Sequence, residues 1–199
     1  VLDAFFNAVP HHPYLQHLSY LLGNQLPTYF PSQLLQRYQQ SNVIIVRGEG
    51  ELPMRTIVNG ILAGSISLNI IPNIVYRDST GNIVFNPVKR TNLAELIHPP
   101  STNGLEKVVI ALVAFLSPKH PALSNSLAIE TLHGDLVGSY GDQVKVELFQ
   151  AGNEKSIDGL LSNLARFRPS LVGLSVQPGC LGVLDAFFNA VPHHPYLQH

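Results

Sequence analysis

Lys107 to Ser117, KVVIALVAFLS, runs apolar and β-branched with no alternation, the pattern of a strand buried on both faces of a parallel sheet. PALSNSLAIETLHGDL follows, with Pro121 at a first helical position and Leu123, Leu127, Ile129 and Leu132 supplying an apolar side, which predicts a helix. VKVELF alternates, Val144, Val146 and Leu148 against Lys145 and Glu147, and predicts a half-exposed strand at a sheet edge. In SIDGLLSNLARFRP, Ile157, Leu160, Leu161 and Leu164 share one helical face, with Ser156 as N-cap and Pro169 beyond the end. SLVGLSVQPG, Ser170 to Gly179, is again a buried-strand pattern. HLSYLLGNQLPT, SQLLQRYQQ, NVIIVRGEGE and LPMRTIVNGIL then read as strand, helix, strand, helix. Strands and helices alternating at this spacing imply right-handed βαβ units and a doubly wound α/β sheet of five parallel strands, Rossmann-like or flavodoxin-like. IPNIVYRDSTGNIVFNPV, Ile71 to Val88, departs from the rhythm and predicts an appended β-hairpin around Ser79-Thr80-Gly81-Asn82.

The order of these elements is rotated. VLDAFFNAVPHHPYLQH, Val1 to His17, recurs without substitution as Val183 to His199, and no other pair of segments matches, which excludes a solenoid of short stacked units. His199 therefore reads on into Leu18, and the chain is one unit entered and left at the same point. On this reading residues 107–199 are its first half and 18–100 its second, with the hairpin at 71–88. The seam falls at 101–106, within the turn-forming HPPSTNGLE. A circular permutation, a window cut from tandem copies and a reading frame drawn around a closed DNA all fit the repeat. A single domain has one place for the duplicated amphipathic helix LDAFFNAV. One copy is thus expected to dock while the other frays or swaps into a neighbouring chain.

Composition narrows the function classes. At 199 residues, 45% hydrophobic and 13% charged, the chain supports one globular domain with a sizeable core. No window approaches the roughly 20 consecutive apolar residues of a membrane span. A net charge of −1 with no basic cluster gives nothing for nucleic acid or an anionic membrane to bind. Cys180 is the one cysteine, which excludes an intramolecular disulfide and any multi-cysteine cluster and points to a reducing cytoplasm. Of the nine histidines, His193, His194 and His199 repeat His11, His12 and His17.

In open α/β sheets, ligands bind outside the carboxyl ends of the strands, and the polar and glycine residues gather at those ends. The loops are Ser117-Pro118-Lys119-His120-Pro121, Ser175-Val176-Gln177-Pro178-Gly179, Gly23-Asn24-Gln25-Leu26-Pro27-Thr28 and Arg47-Gly48-Glu49-Gly50-Glu51. Four loops bearing glycines, hydroxyls and amides on one rim permit close backbone approach to a large ligand with polar edges. The plainer reading is that glycine and proline merely turn strands into helices. Neither GxGxxG nor GxxxxGK[ST] occurs, which disfavours dinucleotides and P-loop nucleotides.

RGEGE, preceded by GNQLPTYFP and followed by IPNIVYRDSTGNIV, resembles the amino-terminal cobalamin-binding domain of the B12-dependent radical SAM proteins. The resemblance covers nearly the whole unit and places its parts in order only after rotation. It implies a corrinoid, cobalamin, held at the carboxyl edge of the sheet. The implied binding residues are Ser117, His120, Ser175, Gln177, Pro178, Gly179, Gly23, Asn24, Pro27, Thr28, Arg47, Gly48, Glu49 and Gly50. The nucleotide tail would pass Ser175 to Gly179 and Gly23-Asn24, with Arg47 to Glu51 closing beside the ring. The Asp-x-His-x-x-Gly signature of cobalt-ligating domains is absent, and Pro118 stands where its Asp would be. His120 is accordingly read as a loop histidine first and a cobalt ligand second. CxxxCxxC is absent too, so this chain holds no radical SAM iron–sulfur cluster.

The remaining candidates have structural explanations. Cys180, following a strand, reads as a small buried thiol. The proline and uneven spacing in HHPYLQH keep its histidines off one helical face, against a metal site. Glu49 and Glu51 could form an acid–base pair, but Glu49 is better read as accepting hydrogen bonds from a ligand or capping the next helix. The sequence thus points to a corrinoid-binding module serving a radical SAM-type catalytic domain that lies outside this chain. Two alternatives remain: an excised part of a radical SAM enzyme, and a ligand-free flavodoxin-like interaction or regulatory domain.

Overall fold

Strands rich in Val, Ile and Leu meet edge to edge in one seven-stranded sheet of order β4-β3-β2-β1-β7-β5-β6. The computed structural model describes residues 2–90, 107–115, 127–151 and 156–176. The strands are β1 (Ser19–Gly23), β2 (Asn42–Val46), β3 (Ile74–Arg77), β4 (Ile83–Phe85), β5 (Val108–Phe115), β6 (Val144–Ala151) and β7 (Leu171–Ser175). The helices are α1 (Leu2–Ala8), α2 (Gln25–Tyr29), α3 (Pro31–Arg37), α4 (Glu51–Leu62), α5 (Leu127–Tyr140) and α6 (Ile157–Phe167).

β2, β1, β7, β5 and β6 run parallel. The sheet is nevertheless wider than the expected five strands, because the hairpin joins it. β3 pairs antiparallel to β2, with Val46 opposite Ile74, and β4 pairs to β3. A free β2 edge would present unpaired N–H and C=O groups to water, and the hairpin satisfies them. At the other edge β6 pairs with β5 as the expected half-exposed strand, burying Val144 and Ala151 at its ends, but Leu148, expected on the buried side, is exposed.

The strands' period of two divides the core between two faces. Tyr20, Leu22, Val113, Phe115, Val172 and Leu174 pack toward α1, α3 and α6. Leu21, Ile44, Val46, Ile110 and Leu112 pack toward α4 and α5. α6 buries Ile157, Leu160, Leu161 and Leu164, the predicted stripe, and stops at Arg168, whose φ of 53° reverses the backbone before Pro169. α5 is described from Leu127, so the predicted start at Pro121 lies outside the described residues.

The duplicated words are seen once. In the amino-terminal copy, α1 buries Leu2, Phe5 and Phe6 and leads through two short 3-10 turns into β1. The carboxyl-terminal copy lies outside the described residues. Among the described residues no helix is long and apolar enough to cross a membrane.

The path of the chain creates the crevice. From β5 it passes along α5, on one face, to β6 at the edge. It returns along α6, on the other face, to β7 on the far side of β5. The outgoing connection of β5 leads to β6 at one edge and that of β1, through α2 and α3, leads to β2 toward the other, with β7 between them: the switch point at which doubly wound sheets open a crevice. α4 and α5 are clasped on one side of it. Arg55 makes a two-pronged ion pair with Asp135, and the Tyr140 hydroxyl donates to Arg55 O (3.0 Å) and Asn59 Oδ1 (2.9 Å).

Burial pushes the Tyr140 hydroxyl up to about 12, with Arg55 opposing the shift and Asp135 adding to it. A phenol raised from its unfolded value, about 10, contributes stability that is complete below that value and lost as pH climbs toward the folded one. Urea denaturation is expected to show stability falling between about pH 10 and 12. Tyr140→Phe should lose about 1 kcal/mol at neutral pH and show a shallower alkaline decline.

Candidate functional site

The carboxyl ends of β1, β2, β5 and β7 open into a cleft of about 230 Å³ between the amino-terminal halves of α4 and α5. Its apolar floor includes Leu21, Leu112 and Gly173, and Met54 of α4 faces Leu132 of α5 across it. At Gly173 a Cβ would lie 2.8 Å from Leu112 Cδ2 and 3.4 Å from Met54 Cε. Any side chain there must push the floor upward into the cleft or strain the strand.

Asn24 and Ser175 bring the rim together. Asn24 has a φ of 85° and a ψ of −167°, a backbone region that residues with a Cβ seldom adopt. Its Oδ1 accepts from Gln25 N (2.7 Å) and caps α2, while its Nδ2 donates to Ser175 Oγ (3.1 Å). The segment expected to be loop thus forms the short helix α2. Pro27 fits within it because backbone N–H groups of a first turn have no helical acceptor. Thr28 continues the brace, its hydroxyl donating to Asn24 O (2.8 Å) and accepting from Gly48 N (3.0 Å). The β1 loop is in this way tied to the β2 loop, and Gly48 bends that loop with a φ of 76°.

Several predicted residues meet at the cleft: Gly23, Asn24, Gly48, Glu49, Gly50 and Ser175 line it. Pro27 is buried within α2, and Thr28 acts behind the rim. Arg47 turns toward the hairpin. Its Nη2 donates to Asn86 O, its backbone N donates to Asn73 O (2.8 Å), and its guanidinium lies 5.5 Å from the centre of the Phe85 ring. No side chain caps α4 at Gly50, so the capping expected of Glu49 is not made and its exposed carboxylate stands at the mouth beside Glu51. His12 Nδ1 accepts from the backbone N of Tyr14 and Leu15, shaping the turn before β1. Ser117, His120, Gln177, Pro178, Gly179 and Cys180 lie outside the described residues.

Sequence reasoning missed the floor. Gly173 carried the one available signal, a glycine inside a buried strand, which marks close approach by another group. Nothing local distinguishes Leu112, Met54 or Leu132 from other core residues.

The arrangement can take a flat apolar group between α4 and α5 and meet its polar edges with an amide, a hydroxyl and two carboxylates. Two carboxylates at the mouth favour donors such as amides and oppose polyphosphates.

No family model and no curated protein matches the chain. Among solved structures it is similar to one described as the cobalamin-dependent S-adenosylmethionine radical enzyme OxsB with aqua-cobalamin and S-adenosylmethionine bound. The identity is 28%, over 40% of this chain and 11% of that one, and the TM-score is 0.33.

Asn24→Ala removes both side-chain bonds and leaves a Cβ residue at a positive φ. It is expected to cost about 2 kcal/mol by chemical denaturation. Asn24→Gly, free of the backbone penalty, should cost about half as much.

Proposed function

We propose that the chain binds a corrinoid, cobalamin, across the mouth of this cleft and presents it to a radical SAM-type catalytic domain. The observation that carries the reading is the cleft between α4 and α5 at the switch point on β7, between β5 and β1, floored by Gly173 and rimmed by Gly23, Gly48 and Gly50. At about 230 Å³ it is smaller than the roughly 300–1,000 Å³ of sites that enclose a drug-sized ligand. It suits one planar arm of a larger molecule whose body rests on the rim, and a corrinoid, with a nucleotide tail and a ring edged by amides, has that form.

The residues present fit such a group. The rim glycines allow close backbone approach, Asn24 and Ser175 offer polar atoms beside the tail, and Glu49 and Glu51 accept from amide edges. When bound, the corrinoid supplies the cobalt chemistry of methyl transfer. This chain's part is to bind, orient and keep water from the buried arm. Ser117, His120, Gln177, Pro178 and Gly179 belong to the proposed surface through the sequence resemblance, and Thr28 holds the Gly48 loop in register.

Size-exclusion chromatography after incubation with hydroxocobalamin tests the reading. Corrinoid absorption bands are expected to co-elute at micromolar protein, and their absence from the correctly folded chain would overturn it. A Cβ at Gly23 meets only Val46 Cβ, at 3.9 Å, so Gly23→Phe fills the cleft without clashing with the backbone. That variant should keep its circular dichroism spectrum and lose the bands. Retention by Gly23→Phe would place the ligand elsewhere.

A further inference from the structure

β6 ends the sheet, and among the described residues no strand pairs with its outer side. Over its eight residues it turns outward the N–H and C=O groups of alternate residues, a template on which another strand can form a ladder. The period of two sorts its side chains into two rows. Val144, Val146 and Leu148 lie on the α5 face, where Val144 is buried and Val146 packs against the core, while Leu148 is 38% exposed. Lys145, Glu147 and Phe149 lie on the α6 face. There Phe149 meets Phe167 edge-on at 5.5 Å, and Lys145 Nζ stands 4.8 Å from the centre of the same ring. Lys145 and Glu147 are both exposed.

Charged side chains ordinarily blunt an edge strand, because pairing strips them of water or sets like charges opposite one another. On β6 the two charges have opposite signs and stand two residues apart, which makes the row complementary to its own antiparallel copy. We propose that β6 pairs antiparallel with β6 of a second copy of this chain, about a two-fold axis at Val146, so that two sheets become one. The axis stands perpendicular to the sheet, so each face continues into its twin. Lys145 of either copy then lies opposite Glu147 of the other. On the α5 face Leu148 lies opposite Val144 of the other copy, and Val146 opposite its own twin. The charges select this register. Centred on Lys145 or on Glu147, the ladder would set a charge against its own kind, and centred on Leu148 it would set Glu147 against Phe149.

The helix above the edge supports the same partner. At about 100° per residue, Val137 stands about 200° around α5 from Asp135. Asp135 faces α4 through Arg55, and buried Leu136 lies between the two. Val137 is thus on the flank turned toward the outer side of β6, and it is 43% exposed. One turn earlier, Gly134 leaves that flank open, with nothing within 4 Å of where a Cβ would be. Joining the sheets brings two α5 helices side by side, and each covers the other's Val137. The cleft lies on the opposite flank of α5, against α4, and stays open in the pair.

The test uses the full-length chain. Sedimentation equilibrium is expected to show a dimer, and a monomer throughout the micromolar range would overturn the proposal. Lys145→Glu and Glu147→Lys change exposed side chains, so each should keep the circular dichroism spectrum of the parent. Each also sets like charges opposite at both ion pairs, and should weaken dimerisation by about tenfold or more. Mixed in equal amounts, the two variants are expected to form a heterodimer, since every charge then meets its opposite. A parent dimer that neither substitution weakens would place the interface elsewhere. Two weakened variants that fail to join each other would show that the charges do not face one another across β6. Either result overturns the pairing.

Discussion

β7 lies between β1 and β5 and is hydrogen-bonded to both in parallel, and the rest of the molecule is arranged around that double pairing. Because β5's outgoing chain leads to one edge and β1's leads to the other, α4 and α5 meet the sheet with a gap between their amino-terminal halves. The gap persists because Gly173, in the middle of β7, puts no side chain into it. Beneath it Leu112 and Leu21 keep the floor dry. A parallel sheet offers its loops at one edge only, so this single pairing decides where a ligand could be met and how deep it could reach.

The rim adds polarity without giving up order. Asn24 closes a helix and holds Ser175, and Thr28 reaches back to Asn24 and forward to Gly48. The β1 and β2 loops are therefore positioned before any ligand arrives, which lowers the ordering cost of binding. Arg47 holds the hairpin to the same edge, coupling a sheet-edge device to the loop that borders the cleft. The carboxylates of Glu49 and Glu51 are left at the mouth, and their charge is what separates a ligand edged by amides from a polyphosphate. The Arg55–Asp135 pair and Tyr140 lie further along the same two helices and set the width of the groove.

Much of this was legible locally. The stripe on α6 and the continuous apolar run of β5 follow from periods of 3.6 and 2 residues. The rim glycines, Asn24 and Ser175 follow from the rule that loops at carboxyl strand ends carry the ligand. The sequence by itself determined the alternating α/β class, the identity of its first and last seventeen residues and which residues could stand at the rim. Only the tertiary structure decided that the hairpin extends the sheet, that Arg47 turns to the hairpin, and that Leu112, Met54 and Gly173 form a floor. Those outcomes depend on which groups face one another across strands far apart in the chain, and local periodicity, which sets a residue's side of its own element, carries no information about the neighbour on that side.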